Sequence, residues 1–88
     1  MVRESSVEAI FARRVRTLGG LSFKFAPVHS GNPDRIVLLP HGIVRFVELK
    51  ADRGALRPDQ RLWHRRAAEL GTVVHVVTGA EEARQWTP

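Results

Sequence analysis

Two apolar segments separated by three residues place the strongest constraint on the fold of this chain. Residues 36–39 and 43–49 are mostly β-branched or apolar, and the intervening residues 40–42 are Pro-His-Gly. This pattern predicts a β-hairpin with a three-residue loop, in which glycine occupies the position that requires a positive φ. If Leu39 pairs with Ile43, counting along the two strands defines the partner of each remaining residue.

The predicted register brings acidic side chains together at the open end of the hairpin. Counting outwards from the loop places Asp34 opposite Glu48, and directly opposed residues have Cβ atoms about 4.5–5.5 Å apart. Two carboxylates at that spacing repel each other unless a positive group lies between them. A divalent cation fits, because Mg²⁺ binds carboxylate oxygens together with waters and phosphate oxygens. Lys50 shares the face of Glu48 because side chains alternate along a strand.

Each of these residues also has an ordinary structural explanation. An Asp that follows Pro commonly opens a turn or a strand, and a Glu and a Lys at alternate strand positions commonly form a solvated face. A shift of the register by one residue would also separate Asp34 from Glu48. However, Val44 and Phe46 precede Glu48 on the same face, so the charges continue an apolar stripe. That arrangement favours a functional cluster over an exposed polar edge.

The N-terminal part of the chain predicts a helix followed by a strand. Ser5 and Glu8 have the spacing of a capping box, which predicts a helix that runs to about Leu18. The glycine pair at residues 19–20 ends this helix. Apolar and polar side chains then alternate over residues 21–25, which predicts a strand with one buried face.

The C-terminal part predicts a helix, a strand and a short final helix. Pro58 suits the first turn of a helix that ends at Gly71. Residues 72–77 are strongly apolar, which predicts a strand that is buried on both faces and parallel to a neighbour. Residues 79–86 complete the order αβββαβ(α). We therefore expect one domain over residues 1–88 with an α/β fold, in which a small mixed β-sheet is flanked by helices.

The composition limits the location of the protein and the kinds of site it contains. Cysteine is absent, so disulfides and thiolate zinc sites are excluded. No apolar run is long enough to span a membrane and no signal-peptide pattern is present, so a cytoplasmic protein is expected. The four histidines do not have zinc-type spacings. Among them, His64 is expected on the outward side of the second helix.

The charge of the chain suits a polyanionic partner, a class that includes nucleic acids. Lys plus Arg total 14 against 9 acidic residues, which gives a net charge of +5. Arginines on the outer sides of the helices can contact phosphates without reading bases, although each of them serves solubility equally well. The candidate nucleic-acid contacts are Arg13, Arg16, Arg35, Arg61 and Arg65.

Two ordered motifs resemble the signature of a known nuclease superfamily. GNPDR at residues 31–35, followed by ELK at residues 48–50, resembles the signature of the PD-(D/E)XK superfamily. The segments PDRIVLLP at residues 33–40, FVELKA at 46–51 and LRPDQ at 56–60 are similar, more narrowly, to the VRR-NUC family. Within that family, the chain resembles the short stand-alone type that is associated with phages and prophages. The resemblance covers nearly the whole chain, and the ordered set is far more specific than either motif alone.

This resemblance implies a metal-dependent nuclease that uses Mg²⁺ or Mn²⁺. The catalytic residues that it implies are Asp34, Glu48, Lys50 and Gln60. The implied metal ligands are Glu8, Asp34, Glu48 and the backbone carbonyl of Leu49. By its spacing alone, Glu8 also fits a helix cap. Gln60 fits either a position near the active centre, on the face that carries Trp63, or a partly exposed position in the first helical turn.

The leading hypothesis is a DNA endonuclease that hydrolyses phosphodiester bonds. Lys50 would orient or deprotonate the attacking water, or stabilise the transition state. Arg14 within an apolar arc and an exposed Trp86 suggest surface for a partner. Paired cuts at a four-way junction need two centres related by a two-fold axis, so a homodimer or a dimer of dimers is expected. The alternatives are a fold that binds DNA without cutting it, a nuclease that prefers flaps or other branched DNA, and an unrelated interaction domain.

Overall fold

The computed structural model describes residues 3–26 and 29–88, apart from the Glu4 side chain. Its helices and strands are α1 (Glu4–Thr17), β1 (Leu21–Lys24), β2 (Arg35–Leu39), β3 (Ile43–Lys50), α2 (Pro58–Glu69), β4 (Val74–Thr78) and α3 (Gly79–Gln85). The α/β fold class and the order αβββαβ(α) are therefore confirmed. No helix within the described ranges is long and apolar enough to cross a membrane.

The four strands form one mixed sheet in the order β1-β2-β3-β4. The first three strands pair antiparallel, whereas β4 is parallel to β3, to which it is connected through α2. Leu39 pairs with Ile43, so the predicted hairpin register is confirmed. The loop differs in one respect, because His41 (φ 68) as well as Gly42 (φ 74) takes a positive φ.

One face of the sheet carries the hydrophobic core, because alternate residues of its strands point towards α1 and α3. The residues of α1 that belong to this core are spaced four apart in the sequence, so their apolar side chains lie on one side of the helix. Trp86 follows α3, and its ring lies 5.1 Å from the Phe11 ring in an edge-to-face arrangement. The buried cluster comprises Val7, Phe11, Val15, Val37, Leu39, Val47, Leu49, Val77, Ala83 and Trp86.

The expected exposure of Trp86 is wrong. The residue is only 7% exposed, and its Nε1 donates a hydrogen bond to His75 Nδ1 at 3.1 Å. Arg14 Nε donates a hydrogen bond to the Trp86 carbonyl oxygen at 2.8 Å. The arginine lies beside an otherwise apolar arc because the backbone that follows α3 needs a donor there. These two residues therefore stabilise the chain internally and do not mark a surface for a partner.

The predicted capping box at the start of α1 is also wrong. The helix begins at Glu4 with Arg3 as its N-cap, and no described side chain caps it. Ser5 therefore lies inside the first turn, beyond the position from which a side chain can cap. Glu8 instead forms an ion pair with Arg35, with 3.6 Å between Oε2 and Nη2.

The opposite face of the sheet is only partly covered by α2. This helix packs against β4, and its Trp63 ring lies 6.4 Å from the Phe46 ring. Four large apolar residues beyond its reach are 41–58% exposed, and we call them the apolar sheet patch: Leu21, Phe23, Leu38 and Val44. The predicted buried face of β1 is therefore wrong.

β4 agrees with its prediction in direction but not in burial. It is parallel to β3, as predicted. However, it lies at an edge of the sheet, and its Val76 is 41% exposed. An edge strand has only one neighbouring strand, and α2 does not extend over all of its outer face, so the expected burial on both faces is wrong.

Candidate active site

Asp34 and Glu48 lie next to each other at the open end of the hairpin. Asp34 directly precedes β2, and its Oδ2 accepts a hydrogen bond from the Leu49 backbone N–H at 2.9 Å. This bond anchors the Asp34 carboxyl on β3, one residue from Glu48. The two carboxyl groups line the same cavity, and the proximity of Asp34 contributes to raising the pKa of the Glu48 carboxyl. The juxtaposition that the register predicts is therefore present.

The environment of Glu48 opposes its ionisation. The residue is 1% exposed, and burial, followed by the adjacent Asp34, raises its pKa to about 8, whereas the charges of Lys50 and Arg57 act in the opposite direction. Glu48 Oε1 receives no hydrogen bond from any described residue. In the metal-free protein this raised pKa favours the protonated carboxyl, which relieves its repulsion with Asp34.

Gln60 connects α2 to the buried carboxyl. Its Nε2 donates a hydrogen bond to Glu48 Oε2 at 2.9 Å, and its Oε1 accepts one from the Arg57 backbone N–H at 2.9 Å. The residue is 3% exposed, which decides between the two positions that the sequence leaves open. Because both ends of the amide are engaged, Gln60 fixes the orientation of Glu48.

Two basic residues complete the electrostatics of this centre. Lys50 Nζ lies 3.7 Å from Glu48 Oε2, and its side chain is 12% exposed. Arg35, which pairs with Glu8, has a side chain that is 13% exposed. That burial leaves little of the Arg35 guanidinium for the DNA contact expected from the sequence. Arg35 instead compensates the charge of an acidic side chain at the site.

A loop packed on the first turn of α2 holds Gln60 in place. Ser30 Oγ donates a hydrogen bond to Asp59 Oδ2 at 2.6 Å, and this bond is the main cause that lowers the pKa of Asp59. Gly31 has a φ of 87, and a Cβ atom there would lie 2.2 Å from the Asp59 carbonyl oxygen. Only glycine permits this approach, since other residues rarely adopt such a φ and would collide with α2.

One cavity of about 650 Å³ collects all the catalytic and metal-binding side chains that the sequence predicts. In the described part of the chain, no three His, Cys, Asp or Glu side chains already stand together as a group able to hold a metal ion. Glu8, the expected third acidic ligand, is engaged by Arg35. The predicted residues whose side chains line the cavity are Glu8, Asp34, Glu48, Lys50 and Gln60.

Sequence reasoning missed some residues of this region. Asp59 and Ser30 line the cavity, and the position of Asp59 within the motif at residues 56–60 was the available signal. His64 does not lie on the outward side of α2 as expected: it is half-buried, and its Nε2 has no hydrogen-bond partner among the described residues. Burial and the nearby Lys50 charge lower its pKa. The other predicted DNA contacts are exposed: Arg13, Arg16, Arg61 and Arg65.

Comparisons with known proteins agree with this arrangement. A family model described as the VRR-NUC domain matches residues 3–81. "Putative nuclease p44" of Acyrthosiphon pisum secondary endosymbiont phage 1 is 41% identical over 78 residues, which cover 88% of this chain and 84% of that protein. A solved structure described as a VRR_NUC domain is 32% identical, with a TM-score of 0.85, and the match covers 97% of this chain and 94% of the other.

The fold and the acidic cavity thus define a nuclease domain with a mixed α/β sheet. The chain belongs to the VRR-NUC family, as the resemblance of its motifs implied.

Proposed function

We propose that this chain is a divalent-metal-dependent DNA endonuclease that hydrolyses phosphodiester bonds. The observation that carries the proposal is the buried Glu48 carboxyl, which faces Asp34 and has a pKa of about 8. A cation between the two groups would take the place of the proton, since metal binding requires deprotonated ligands and releases protons. Membership of a nuclease family supports the same conclusion.

The donors around the cavity fit a hard divalent cation. Asp34, Glu48 and the Leu49 carbonyl offer oxygen ligands, which Mg²⁺ and Mn²⁺ prefer. Glu8, which lines the same cavity, is the further proposed ligand. A cation bound there would act as a Lewis acid that lowers the pKa of the attacking water and offsets charge on the phosphate.

The chain itself supplies the positioning and the hydrogen bonds. Gln60 acts as a positioning residue, because its amide holds the Glu48 carboxyl from the α2 side. Lys50 is the catalytic residue. Its ammonium donates a hydrogen bond to the attacking water or to a phosphate oxygen, and it stabilises the negative charge that develops on the phosphate in the transition state. If Lys50 also takes a proton from the water, the cleavage rate depends on its ionisation, which a pH profile of the rate would reveal.

Exposed arginines on α1 and α2, the helices that carry Glu8 and Gln60, would contact the DNA backbone. Arg61 and Arg65 lie on α2, the helix that carries Gln60, whereas Arg13 and Arg16 lie on α1. Contacts of this kind neutralise phosphates and make binding strongly dependent on salt. We do not include Arg35 among these DNA contacts, because its side chain is largely buried and pairs with Glu8.

We further propose that the protein acts as a homodimer, or as a dimer of dimers, and prefers four-way junctions to linear duplex. The apolar sheet patch supports an assembly, because exposed clusters of large apolar residues mark interaction surfaces. A two-fold dimer carries two centres in a fixed relation, which suits paired cuts in two strands. Residues 1–88 would form one nuclease domain that works in the cytosol of a bacterial or phage-infected host.

A cleavage panel tests the activity and the substrate separately. Supercoiled, linear, flap and four-way-junction DNA would each be incubated with Mg²⁺, with Mn²⁺ and with a chelator. We expect cutting only with metal, and fastest at the junction. A fold that merely binds DNA would retard the junction on a gel and leave every substrate intact, and an unrelated domain would do neither. A preference for flaps would leave the nuclease standing and replace only the junction claim.

A further inference from the structure

A second cavity, largely apolar in character, lies beside the acidic one. Its volume is about 450 Å³, and it lies between α2 and the sheet. Although Trp63, Ala67 and Leu70 share one face of α2 as a core stripe would, Leu70 is 86% exposed. These side chains consequently line an open space and do not fill a core. The residues that matter to its chemistry are His29, Phe46, Trp63, Arg66, Ala67 and Leu70.

A row of three aromatic rings connects the two cavities. The Phe25 and Phe46 rings have centroids 6.1 Å apart and are tilted by 35°, and the Phe46 and Trp63 rings lie 6.4 Å apart. Phe25 lines the acidic cavity, whereas Phe46 and Trp63 line the apolar one. All three residues are only half-buried. The row therefore begins at the lining of the acidic cavity and ends at the lining of the apolar cavity.

Residues that line the acidic cavity and residues that line the apolar cavity lie close together along both α2 and β3. Trp63 follows Gln60 by three residues on α2, a rise of about 4.5 Å. Phe46 precedes Glu48 by two residues on the same face of β3, a distance of about 7 Å. Successive nucleotides of one strand rise about 3.4 Å along the axis of a stacked duplex, and an unstacked strand spans more than that per nucleotide, so both separations correspond to one or two nucleotides. A strand whose phosphate lies at Glu48 thus has a neighbouring base within reach of Trp63.

We propose that the apolar cavity binds an unstacked nucleobase adjacent to the scissile phosphate, with Trp63 and Phe46 as the stacking surface. Every base offers a π-face to an aromatic side chain, so this binding tolerates any sequence. Arg66, at the same cavity, is placed to pair with a flanking phosphate. The proposal rests on the nuclease function above and deepens it, because it names the feature of the DNA that the site selects.

A nucleobase suits this cavity better than a peptide side chain does. The cavity shares His29 with the lining of the acidic site, and the aromatic row extends from one cavity to the other, so an occupant of the apolar cavity lies beside whatever binds at the carboxylates. An arginine in its lining and a chain charge of +5 favour a polyanion. Paired and stacked bases in a continuous duplex cannot enter without being unstacked, which costs free energy. Branched or frayed DNA supplies such a base at lower cost.

Removing the base from the substrate tests the proposal without changing the protein. A tetrahydrofuran abasic residue would replace each nucleotide in turn around the mapped cut in a junction or a flap. We expect one flanking position at which kcat/KM falls about 5- to 150-fold, the factor that corresponds to one stacked base. In Trp63→Leu, the normal and the abasic substrates should be cut at nearly equal rates.

Two protein variants protect the test against a folding defect. Trp63→Phe retains an aromatic surface and should preserve most of the difference between normal and abasic DNA. Leu62→Ala, on the outer side of α2, should behave as the wild type does. Equal kcat/KM for normal and abasic DNA at every position, with efficient cutting, would overturn the inference without contradicting the nuclease function. A cavity that binds a peptide side chain would give the same result.

A binding measurement separates failure of this inference from failure of the nuclease function. If no DNA is cut with either metal, the proposed function falls. Fluorescence of 2-aminopurine, placed in turn at each nucleotide around the branch point, would then still report the pocket, because the probe is bright when it is unstacked and is quenched again when it stacks on Trp63. A probe position that is brighter in the Trp63→Leu complex than in the wild-type complex supports the base site, whereas equal fluorescence of the two complexes at every position, at saturating protein, contradicts it.

Discussion

At the level of single residues, Glu48 is a carboxyl group whose ionisation the fold opposes. Its folded pKa of about 8 lies above its ordinary value of 4.5. A raised carboxyl pKa contributes stability that is fully present below about pH 4.5 and is lost as the pH rises through about 8. For metal-free protein, we expect urea unfolding to show a stability that falls over this window. Glu48→Gln, which cannot ionise, should show a smaller fall, and parallel pH profiles for the two proteins would refute the assignment.

The acidic pair should also determine the response to metal. We expect Asp34→Ala and Glu48→Ala to abolish cleavage while the fold survives, because both residues lie at the open end of the hairpin and neither belongs to the buried hydrophobic cluster. Wild-type protein should gain about 2.7 kcal/mol from Mn²⁺ at one hundred times its Kd, and the variants much less, as thermal melting would report. Glu69→Ala, on the exposed end of α2, is the control that should match the wild type. Equal stabilisation of all four proteins would remove the proposed ligands.

Lys50 offers a comparison with the other lysine of the chain. Lys24 and Lys50 are the only two lysines in the sequence, and both line the acidic cavity, but the ion pair with Glu48 belongs to Lys50. We expect Lys50→Ala to slow cleavage about 10²–10⁴-fold if the ammonium takes part in proton transfer, with metal-induced stabilisation retained. Lys24→Ala should cost far less in single-turnover assays. Similar losses for both variants would reduce Lys50 to a surface charge.

At the level of elements, the loop before β2 and the first turn of α2 position the centre together. A Cβ on Gly31 (φ 87) would lie 2.2 Å from the Asp59 carbonyl oxygen, whereas one on Gly71 (φ 88) would meet nothing within 4 Å. Alanine at either position should cost about 1–2 kcal/mol for the left-handed backbone. Only Gly31→Ala should displace Gln60 from Glu48, and a displacement of that kind can cost about 10²-fold in rate.

Unfolding and cleavage assays on the two glycine variants separate these effects. Both should lose stability in urea, with the larger loss in Gly31→Ala, and only Gly31→Ala should lose activity under conditions where both are folded. If Gly71→Ala loses as much activity, the contact between the loop and α2 has no part in positioning the site.

The elements also show where sequence reasoning succeeded. The hairpin register followed from alternation and a short loop, both of which act between neighbouring residues, and it placed Asp34 beside Glu48 correctly. The start of α1 did not follow, because the spacing of Ser5 and Glu8 fits a capping box whether or not the helix begins there. The ion pair of Glu8 with Arg35 joins residues 27 positions apart in the sequence. No local pattern encodes such a partner.

For the whole molecule, the apolar sheet patch is the surface that we expect at the dimer interface. Leu38, within the patch, is 41% exposed, and Leu62, on the outer side of α2, is 39% exposed. Lysine at either position is equally accessible to water in a monomer, so neither change should unfold the protein. A charge buried in a dimer interface without a partner is costly, so Leu38→Lys should yield monomers by light scattering at micromolar concentration. Leu62→Lys should remain dimeric.

Junction cleavage by the same two variants tests the link between assembly and substrate. The dimeric protein should cut two strands of a four-way junction within the lifetime of one complex, whereas a Leu38→Lys monomer should release singly nicked junctions. A wild-type protein that is monomeric would remove the assembly claim, and equal cutting of junction and linear DNA would remove the substrate claim.

The sequence by itself determined the hairpin, its register, the element order and the acidic pair with its lysine. Each of these depends on period-two alternation, short connections or helix-terminating residues, all of which act over a few residues. Only the tertiary structure decided which sheet face is covered, that Trp86 is buried and bonded to His75, that Gln60 reaches Glu48, and that His64 turns inwards. These outcomes depend on how far α2 and α3 extend across the sheet, which is a balance of packing over the whole molecule. The pKa of Glu48 belongs to this second group, because desolvation by distant segments is its largest cause.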